Sequence, residues 1–385
     1  MNTETFDAIV IGTGGVGSAA MYHLANSGMR VLGLDRFPMA HDKGSSHGES
    51  RVIRKSYFEH PNYVPLVQQS WRLWEDLQQE ADCQLLQPNG VIYFGAEDGV
   101  VMSGLRQSSQ LHGLSLERLS SNEAASRFPQ FVGPPNTTAM YEADAGVLLV
   151  EKAIQTQIQL AVAAGATHQT GDPVFRWSAD SNSVTVETRR YRYEADRLIV
   201  TAGAWSAELL SSLNIPLQVI RKHQHWYSTS DQKFDRNHGC PAFFFEHQDA
   251  YFYGVPQTEG SGVKVCEHSG GTVVDDPLND DRLPQQPCID RLEKLVRECM
   301  PTVTTECQRH ETCFYTMTPD EHFVVDHHPE HANVCFAAGL SGHGFKFAPV
   351  LGRILAQLAA DMPMPEESHF LRVDRPGLQQ TNTHS

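Results

Sequence analysis

The feature that most constrains the fold of this chain is its N-terminal stretch, FDAIVIGTGGVGSAAMYHLANSGMRVLGLDR. The apolar run at residues 8–11 predicts a strand, residues 19–25 predict a helix that Gly28 ends, and residues 30–34 predict a second strand. A strand, a helix and a strand in this order form a βαβ unit. The sequence therefore predicts a Rossmann-like sheet that begins near the N-terminus.

The turn between the first strand and the helix has the spacing G-x-G-x-x-G. Gly12 permits a tight turn, Gly14 lets the backbone approach a pyrophosphate, and Gly17 allows the helix to pack closely on the strand. The N–H groups at the start of the helix would face the phosphates. Asp35 closes the second strand, where its carboxylate can accept hydrogen bonds from both hydroxyls of an adenosine ribose. The motif predicts a dinucleotide site, and NAD and FAD both fit it at this point.

The remainder of the chain predicts two domains. A length of 385 residues, of which 40% are hydrophobic, is enough for both. The predicted fold class is α/β, with a Rossmann-like nucleotide-binding domain and an inserted substrate domain on a mixed or antiparallel sheet. The predicted boundaries are 1–84, 146–219 and 311–377 for the nucleotide-binding domain, 85–145 and 220–310 for the substrate domain, and 378–385 for a flexible tail.

Composition and charge exclude several classes of function. The chain has 30 Lys and Arg against 46 Asp and Glu, and its net charge of -16 disfavours nucleic acid and anionic membranes as partners. It has no apolar run of about 18 residues and no basic region at its start, so we expect neither a transmembrane helix nor a signal peptide. Its eight cysteines form no CxxC pair, which argues against a zinc site and a secreted disulfide framework. We therefore expect a cytoplasmic protein.

Five motifs occur along the chain in a fixed order: GTGGVG, SHGESRVIR, VTAGAW, CFYTMTPDEHFVVDHHP and AAGLSGHGFKF. Together they resemble the monomeric sarcosine oxidase family, which includes N-methyltryptophan oxidase and pipecolate oxidase within the wider glycine and D-amino-acid oxidase fold. The resemblance extends from about Phe6 to Arg375. It implies a flavin-dependent oxidase with FAD as the dinucleotide.

The resemblance also implies a role for Cys313, which lies in the stretch ETCFYTM without a second cysteine at metal-binding spacing. In the family a cysteine at this place forms a thioether with the 8α-methyl carbon of the flavin. Such a bond needs one thiolate, and a nearby cation that lowers the thiol pKa would assist the attack. A buried structural cysteine is the alternative. The other residues expected to contact FAD are Gly12, Gly14, Gly17, Asp35, Arg36, His47, Arg51, Val174, Gly203, Gly342, Gly344 and Lys346.

An amino-acid substrate needs its carboxylate held, and the planar fork of an arginine suits this task. Arg54 and Lys346 match the family's carboxylate clamp. Tyr253 and Tyr315 match aromatic walls of the substrate cavity, although each could instead be core packing. Phenylalanines at 243–245 lie near the expected side-chain wall, which leaves the size of the substrate open.

The resemblance implies catalytic roles for four residues. Lys264 matches a lysine that promotes the reaction of reduced flavin with oxygen, since a fixed cation stabilises superoxide. Arg51 matches an arginine beside the flavin ring. His268 is expected to contact or position the substrate amine, and Tyr253 completes the set.

A second group of histidines suggests a metal site at first sight, but its spacing fits no helical HExxH motif. We interpret the members of this group as structural and surface residues, and we expect no metal. The group consists of His322, His327, His328 and His331 with Asp320, Glu321 and Asp326.

The expected function is the oxidative demethylation of sarcosine with O2 to glycine, formaldehyde and H2O2, by a monomeric enzyme. Within the same class, the substrate could instead be a bulkier N-methyl amino acid resembling N-methyltryptophan, or a cyclic imino acid such as pipecolate or proline. An NAD-dependent dehydrogenase would be colourless and would not need Cys313. A non-catalytic flavin-binding redox sensor would hold the flavin without turnover.

Overall fold

The computed structural model describes residues 3–247, 250–257 and 261–379. Its helices alternate with strands along most of the chain, as an α/β fold requires. Within the described residues, no helix is long and apolar enough to cross a membrane. The α-helices are α1 (Gly15–Asn26), α2 (Tyr63–Glu80), α3 (Val100–His112), α4 (Ser121–Arg127), α5 (Val150–Ala163), α6 (Ser206–Leu209), α7 (Gln286–Cys299) and α8 (Ala348–Ala359).

Three sheets contain the strands. The strands are β1 (Thr3–Ile11), β2 (Val31–Asp35), β3 (Ser50–Ile53), β4 (Leu86–Gln87), β5 (Val91–Gly95), β6 (Glu117–Leu119), β7 (Thr138–Glu142), β8 (Gly146–Leu149), β9 (Thr167–Thr170), β10 (Val174–Ala179), β11 (Val184–Thr188), β12 (Arg192–Val200), β13 (Gln218–Tyr227), β14 (Ala242–His247), β15 (Ala250–Val255), β16 (Val263–Glu267), β17 (Thr272–Val273), β18 (Cys307–Met317), β19 (Val324–His328) and β20 (His331–Ala338).

The first sheet has eight strands and a parallel centre. Strand β1 pairs in parallel with β2 and β12, and β9 and β20 continue the parallel pairing on either side. Ala8, Ile9 and Val10 are fully buried, because helices α1 and α8 cover one face of the strands and apolar residues of β10 and β11 pack on the other. This is the predicted Rossmann-like βαβ start, and its strands end at one edge where a ligand can bind.

The second sheet has nine strands and is antiparallel except where β5 meets β14. Its long central strand β13 pairs with β18 over ten residues. The predicted boundaries at 219/220 and 310/311 fall inside these two strands, so each boundary would cut the sheet. Cys313 therefore lies on a strand of the second sheet, opposite Lys222 in the register. A small third sheet has the strand order β3, β8 and β4.

Residues 85–145, which were predicted to belong to the substrate domain, contain α3 and α4 in addition to their strands. Ser120 and Glu123 form a capping box that starts α4, and this pair was a readable helix signal. The predicted tail begins too early, because Leu378 is buried against the first sheet's core. Residues 380–385 lie outside the described residues.

Candidate active site

The first cavity lies at the edge where the parallel strands of the first sheet end. The glycine-rich turn, the residues after β2 and β12, and the loop between β20 and α8 all reach it. It therefore has the position that a dinucleotide occupies in this type of fold. The sequence-predicted residues that line it are Gly12, Gly14, Asp35, Arg36, Arg51, Val174, Gly203, Tyr315, Gly342, Gly344 and Lys346.

The glycine-rich turn needs glycine for steric reasons at two of its three motif positions. At Gly12 φ is +86°, and an added Cβ would lie 2.6 Å from the carbonyl oxygen of Thr201. A Cβ at Gly17 would lie 1.8 Å from the carbonyl oxygen of Gly12. Gly17 does not line the cavity, and its function is close packing of α1 against the turn. Gly14, where an added Cβ would meet nothing within 4 Å, faces open space.

The end of β2 presents polar groups to the first cavity. The carboxylate of Asp35 accepts hydrogen bonds from the backbone N–H groups of Thr13 at 2.8 Å and Phe37 at 2.9 Å, which fix its orientation. Next to it, the guanidinium of Arg36 lies 5.5 Å from the ring centroid of Trp205.

Arg36 Nη1 is buried and has no hydrogen-bond partner among the described residues. A buried donor left unpaired is costly. A phosphate, a hydroxyl or an adenine nitrogen of a dinucleotide would supply the missing acceptor, so these residues fit FAD.

The second cavity adjoins the first and shares several lining residues with it, namely Arg51, Val52, Tyr315, Gly342, His343 and Lys346. Its other walls come from the loop after β3 and from strands of the second sheet. These residues are Arg54, Phe58, Glu59, Val91, Tyr93, Phe243, Phe244, Tyr253 and His268. The structure thus brings together all the residues predicted to bind substrate.

Arg54 is buried and forms a bidentate ion pair with Glu59, with Nη2 donating at 2.6 and 2.7 Å. Burial opposes both charges. The pairing nevertheless raises the pKa of Arg54 and lowers that of Glu59, so both groups stay charged. Sequence reasoning missed Glu59, although it lies only five residues after Arg54. A substrate carboxylate that binds Arg54 has to compete with the carboxylate of Glu59.

A second buried carboxylate fixes the loop that carries Arg54. Glu142 accepts hydrogen bonds from the backbone N–H groups of Lys55 at 2.6 Å and Ser56 at 2.9 Å, and from the hydroxyl of Tyr93 at 3.2 Å. Burial raises the pKa of Glu142 to about 7, against these hydrogen bonds. The chain after β3 is therefore held in place by Glu142, a residue that no sequence motif marked.

Lys346 points into the same cavity from the short turn before α8. Its backbone carbonyl accepts hydrogen bonds from Ser70 and Trp74 of α2, which explains why the turn keeps its position. The ammonium donates to the carbonyl of His343 at 2.9 Å and to the hydroxyl of Tyr57 at 3.4 Å. Burial and the nearby Arg54 lower the pKa of Lys346 to about 7. Its positive charge is therefore sensitive to pH in the neutral range.

His268 and two tyrosines form the opposite wall. His268 Nδ1 lies 3.2 Å from the hydroxyl of Tyr315, and the ring of Tyr253 lies 6.3 Å from the His268 ring. Burial lowers the pKa of His268 to about 3, so the imidazole is neutral at physiological pH. A neutral ring can accept a hydrogen bond from a substrate amine.

Lys264 lines neither of these cavities but lies behind their shared wall. Its ammonium donates to the carbonyls of Gly48 at 2.8 Å and Ser50 at 3.1 Å, and Arg51 Nη1 donates to the same Ser50 carbonyl at 2.8 Å. The two cations are thus neighbours. Burial and Arg51 lower the pKa of Lys264 to about 8. A third cavity, which includes Trp226, reaches Lys264 from the other side.

Besides Gly17, two further predicted cofactor residues, His47 and Cys313, do not line the first cavity. The ring of His47 is buried, and its Nδ1 lies 3.2 Å from the carboxylate of Glu311. The side chain of Cys313 is also buried, on β18. Burial lowers the pKa of Arg51, but nearby groups, first among them Cys313, raise it overall. Cys313 is therefore close to the cation that contacts both cavities.

The aromatic residues of β14 do not all face the substrate cavity. Phe243 and Phe244 line it, whereas Phe245 packs against Phe94 in another core cluster. Side chains alternate across a strand, so Phe243 and Phe245 share one face and one core cluster, and Phe244 lies on the other face. The structure adds Phe58 and Tyr93 to this wall. Neither was distinguished in the sequence from ordinary core aromatics.

The histidine group does not form one cluster. His328, Glu330 and His331 alone, among the described residues, bring possible ligand atoms within 4.8 Å of one another. His328 Nδ1 accepts a hydrogen bond from the Glu330 backbone, and its Nε2 lies 3.1 Å from Ser212 Oγ. Both ring nitrogens of His328 are thus already used. The expectation that no metal binds stays a prediction.

The cavities, the parallel sheet and the glycine-rich turn define a class of FAD oxidase. The family model described as "FAD dependent oxidoreductase" matches residues 7–358, and the chain belongs to this family of flavin-dependent amino-acid oxidases. It is 36% identical over 378 residues to monomeric sarcosine oxidase of Bacillus sp. (strain NS-129), covering 97% of this chain and 98% of that protein. It is 37% identical over 361 residues to N-methyl-L-tryptophan oxidase of Escherichia coli O139:H28, covering 92% and 95%.

Solved structures agree with this assignment. NikD, titled an unusual amino acid oxidase essential for nikkomycin biosynthesis, matches with a TM-score of 0.84 at 25% identity and covers 96% of this chain and 98% of that one. Glycine oxidase from Geobacillus kaustophilus matches with a TM-score of 0.81 at 19% identity and covers 97% and 99%, which shows the shared fold. The predicted family and fold class are confirmed, and FAD is the cofactor that the family uses.

Proposed function

We propose that the protein oxidises sarcosine with O2 and water to glycine, formaldehyde and H2O2. One observation supports this most: the cavity beside the FAD site is small and lined by three cationic side chains, Arg51, Arg54 and Lys346, against the single carboxylate of Glu59 among the described lining residues. Excess positive charge in a buried cavity favours an anionic group such as the carboxylate of an amino acid.

The residues of the chain would divide the work of binding. Arg54 and Lys346 hold the substrate carboxylate, while the neutral ring of His268 accepts a hydrogen bond from the amine. This orients the N-methyl carbon toward the first cavity. Tyr253 and Tyr315 wall the cavity and exclude water. FAD, when bound, accepts the hydride equivalent from the substrate and passes the electrons to O2.

Arg51 lines both cavities, and Lys264 adds a second positive charge behind the wall that they share. A preorganised cation stabilises the negative charge that develops when O2 is reduced. Lys264 is proposed as the group with this effect, and the third cavity gives it contact with space outside the substrate cavity. Arg51 lies between the two cavities and is proposed to contact the flavin ring.

We also propose that Cys313 carries the flavin as a thioether. The residue lies on β18 two positions before Tyr315, which lines both cavities. Its register partner is Lys222, and Arg51 and Lys264 are close enough to it to affect one another electrostatically. A monomeric, cytoplasmic enzyme completes the proposal.

A larger N-methyl amino acid with an aromatic side chain is the second candidate. The rings of Phe58 and Phe244 lie 5.4 Å apart at the wall of the second cavity, and such rings can stack on an aromatic substrate. The relative named N-methyl-L-tryptophan oxidase has the same level of identity as the sarcosine oxidases.

The test is peroxide production by the flavin-loaded protein with sarcosine, N-methyltryptophan, pipecolate and proline. The highest kcat/KM is expected for sarcosine. A higher value for N-methyltryptophan would favour the aromatic wall as the determinant of specificity. No turnover with any of the four would contradict the proposed class of substrate.

A further inference from the structure

The second sheet contains a buried lysine that the proposed chemistry does not use. Lys222 lies on β13 and is 4% exposed. Its ammonium donates three hydrogen bonds, to the backbone carbonyls of His268 at 2.9 Å, Ser269 at 2.6 Å and Gly270 at 2.8 Å. All three of its donors are therefore taken by three consecutive carbonyls of the turn between β16 and β17.

The charge of Lys222 has no ionic partner within 4.0 Å among the described residues. Burial lowers its pKa to about 8, and Glu267 and Cys313 oppose this shift. Burying an ammonium without an ion pair is costly. A site that accepts this cost for general stability would be better filled by an apolar side chain. The arrangement therefore indicates that the lysine holds the turn at residues 268–270.

The turn packs against Lys222 with two glycines in the left-handed region. Gly270 and Gly271 have φ values of +61° and +117°. A Cβ at Gly271 would lie 2.4 Å from Ile220 Cγ2 and 3.1 Å from Lys222 Cδ, so the turn packs directly on the lysine stem. In this conformation the three carbonyls converge on the ammonium.

His268 is the first residue of this turn, and its position is fixed at both ends. Its backbone N–H donates to the carbonyl of Tyr251 at 2.6 Å, and its own carbonyl accepts from Lys222. Its ring then reaches Tyr315 Oη at 3.2 Å and lines the second cavity. The Lys222 ammonium also lies 5.3 Å from the ring centroid of Tyr315. One lysine thus contacts both the turn and the tyrosine that the histidine touches.

We infer that Lys222 is a positioning residue, which fixes His268 and Tyr315 in the wall of the substrate cavity and thereby sets its affinity for the substrate. The inference rests on the proposed function, since it assumes that His268 contacts the substrate. Lys222 itself touches neither cavity. It acts through the turn at 268–270, and its loss should change binding much more than the chemical step.

The test compares the flavin-loaded wild type with Lys222→Met and with Lys233→Met, a control at an exposed lysine. The flavin absorbance is titrated with a small thioether carboxylate, and KM and kcat are measured with sarcosine. We expect Lys222→Met to raise the dissociation constant and KM about tenfold, which is the change that 1.4 kcal/mol gives, with kcat changed less than about threefold. Lys222→Gln, which keeps two donors, should lie between.

A double-mutant cycle shows whether the effect passes through His268. In the His268→Ala background, Lys222→Met should cost much less than tenfold, because the group that it positions is gone. An equal loss in both backgrounds, or no loss in the wild-type background, would overturn the inference.

Hydrogen exchange of the 268–271 amides measures, without a substrate, how firmly Lys222 holds the turn. Faster exchange is expected in Lys222→Met and not in Lys233→Met. Unchanged exchange would overturn the inference even if sarcosine proved to be the wrong substrate. If the wild type shows no turnover but exchange is still faster in Lys222→Met than in Lys233→Met, only the proposed function would be contradicted.

Discussion

The two adjoining cavities are lined by different kinds of chemical group. The first is shaped by backbone, with the glycine-rich turn, the start of α1 and one oriented carboxylate, Asp35. The second is shaped by buried charged side chains, of which Arg54, Glu59 and Lys346 lie within one small space. Backbone sites tolerate most side-chain changes, whereas a buried group of charges responds to each one. Substitutions should therefore separate cofactor retention from substrate affinity.

The largest effect is expected at the attachment of the flavin. Cys313→Ser should abolish flavin that stays with the protein after acid precipitation, since serine cannot form the thioether. The turn of the first cavity is unaltered, so non-covalent flavin should still bind. The absorbance of the acid pellet measures this, with Cys335→Ser as a control at another buried cysteine. Acid-stable flavin in Cys313→Ser would place the tether elsewhere.

The next effect concerns Arg54. Arg54→Met should weaken the binding of a small thioether carboxylate by about 30-fold to several thousand-fold, since a buried charge pair that loses one partner costs roughly 2–5 kcal/mol. The flavin should remain attached, because Arg54 does not line the first cavity. Titration of the flavin absorbance gives the dissociation constant. An unchanged constant, equal to that of the exposed variant Arg118→Met, would mean that the carboxylate is held by other groups.

A substitution of Lys264, behind the shared wall of the two cavities, tests whether this residue acts mainly on the reaction with O2. Lys264→Met should slow the reoxidation of reduced flavin by roughly 10²–10³-fold, the usual cost of losing a preorganised stabilising group. Reduction by substrate should change much less. Stopped-flow measurement of each half-reaction separates the two. Equal slowing of both half-reactions would argue against the assignment.

A smaller effect should follow from pH. Lys346 has a pKa of about 7, so it is charged below that pH and loses its charge as the pH rises. The dissociation constant of a carboxylate ligand that lacks an amine should therefore increase from pH 6 to pH 9. The limit is about tenfold per pH unit for one proton taken up with the ligand. In Lys346→Met the dissociation constant should be higher and nearly independent of pH below 8, and an unchanged profile would assign the titration to another group.

The smallest expected change is a gain. Glu59→Gln removes the carboxylate that competes for Arg54, so a carboxylate ligand should bind a few-fold more tightly, on the order of 1 kcal/mol. The measurement belongs at pH 6, because Glu59 also raises the pKa of Lys346 and its loss would discharge that lysine at higher pH. Glu97→Gln, at an exposed ion pair, is the control. Weaker binding in Glu59→Gln would show that the pair has to stay intact for the clamp to work.

The two cavities also differ in how far they could be predicted. The first follows from local patterns, because a G-x-G-x-x-G turn between a strand and a helix fixes the backbone wherever it occurs. Arg54, Lys346 and His268 were found through motifs that resemble a family. Glu142 and Lys222 were missed, because their hydrogen-bond partners lie 46 to 87 residues away in the chain. Glu59 lies only five residues from its partner Arg54, but nothing in the sequence shows that the two are buried together. Buried charges carry no local signature that separates them from surface charges.

Strand β18 belongs to the second sheet, and the chain runs directly from it into β19 of the first sheet. A flavin bonded to Cys313 and seated on the glycine-rich turn would contact both halves of the molecule. Because its contact with the turn is non-covalent and exists only in the folded state, it would stabilise that state as a bound ligand does. The holoprotein should then melt in a single transition, with the two halves unable to unfold independently. The cofactor would thus hold the two halves of the molecule together as well as transfer electrons.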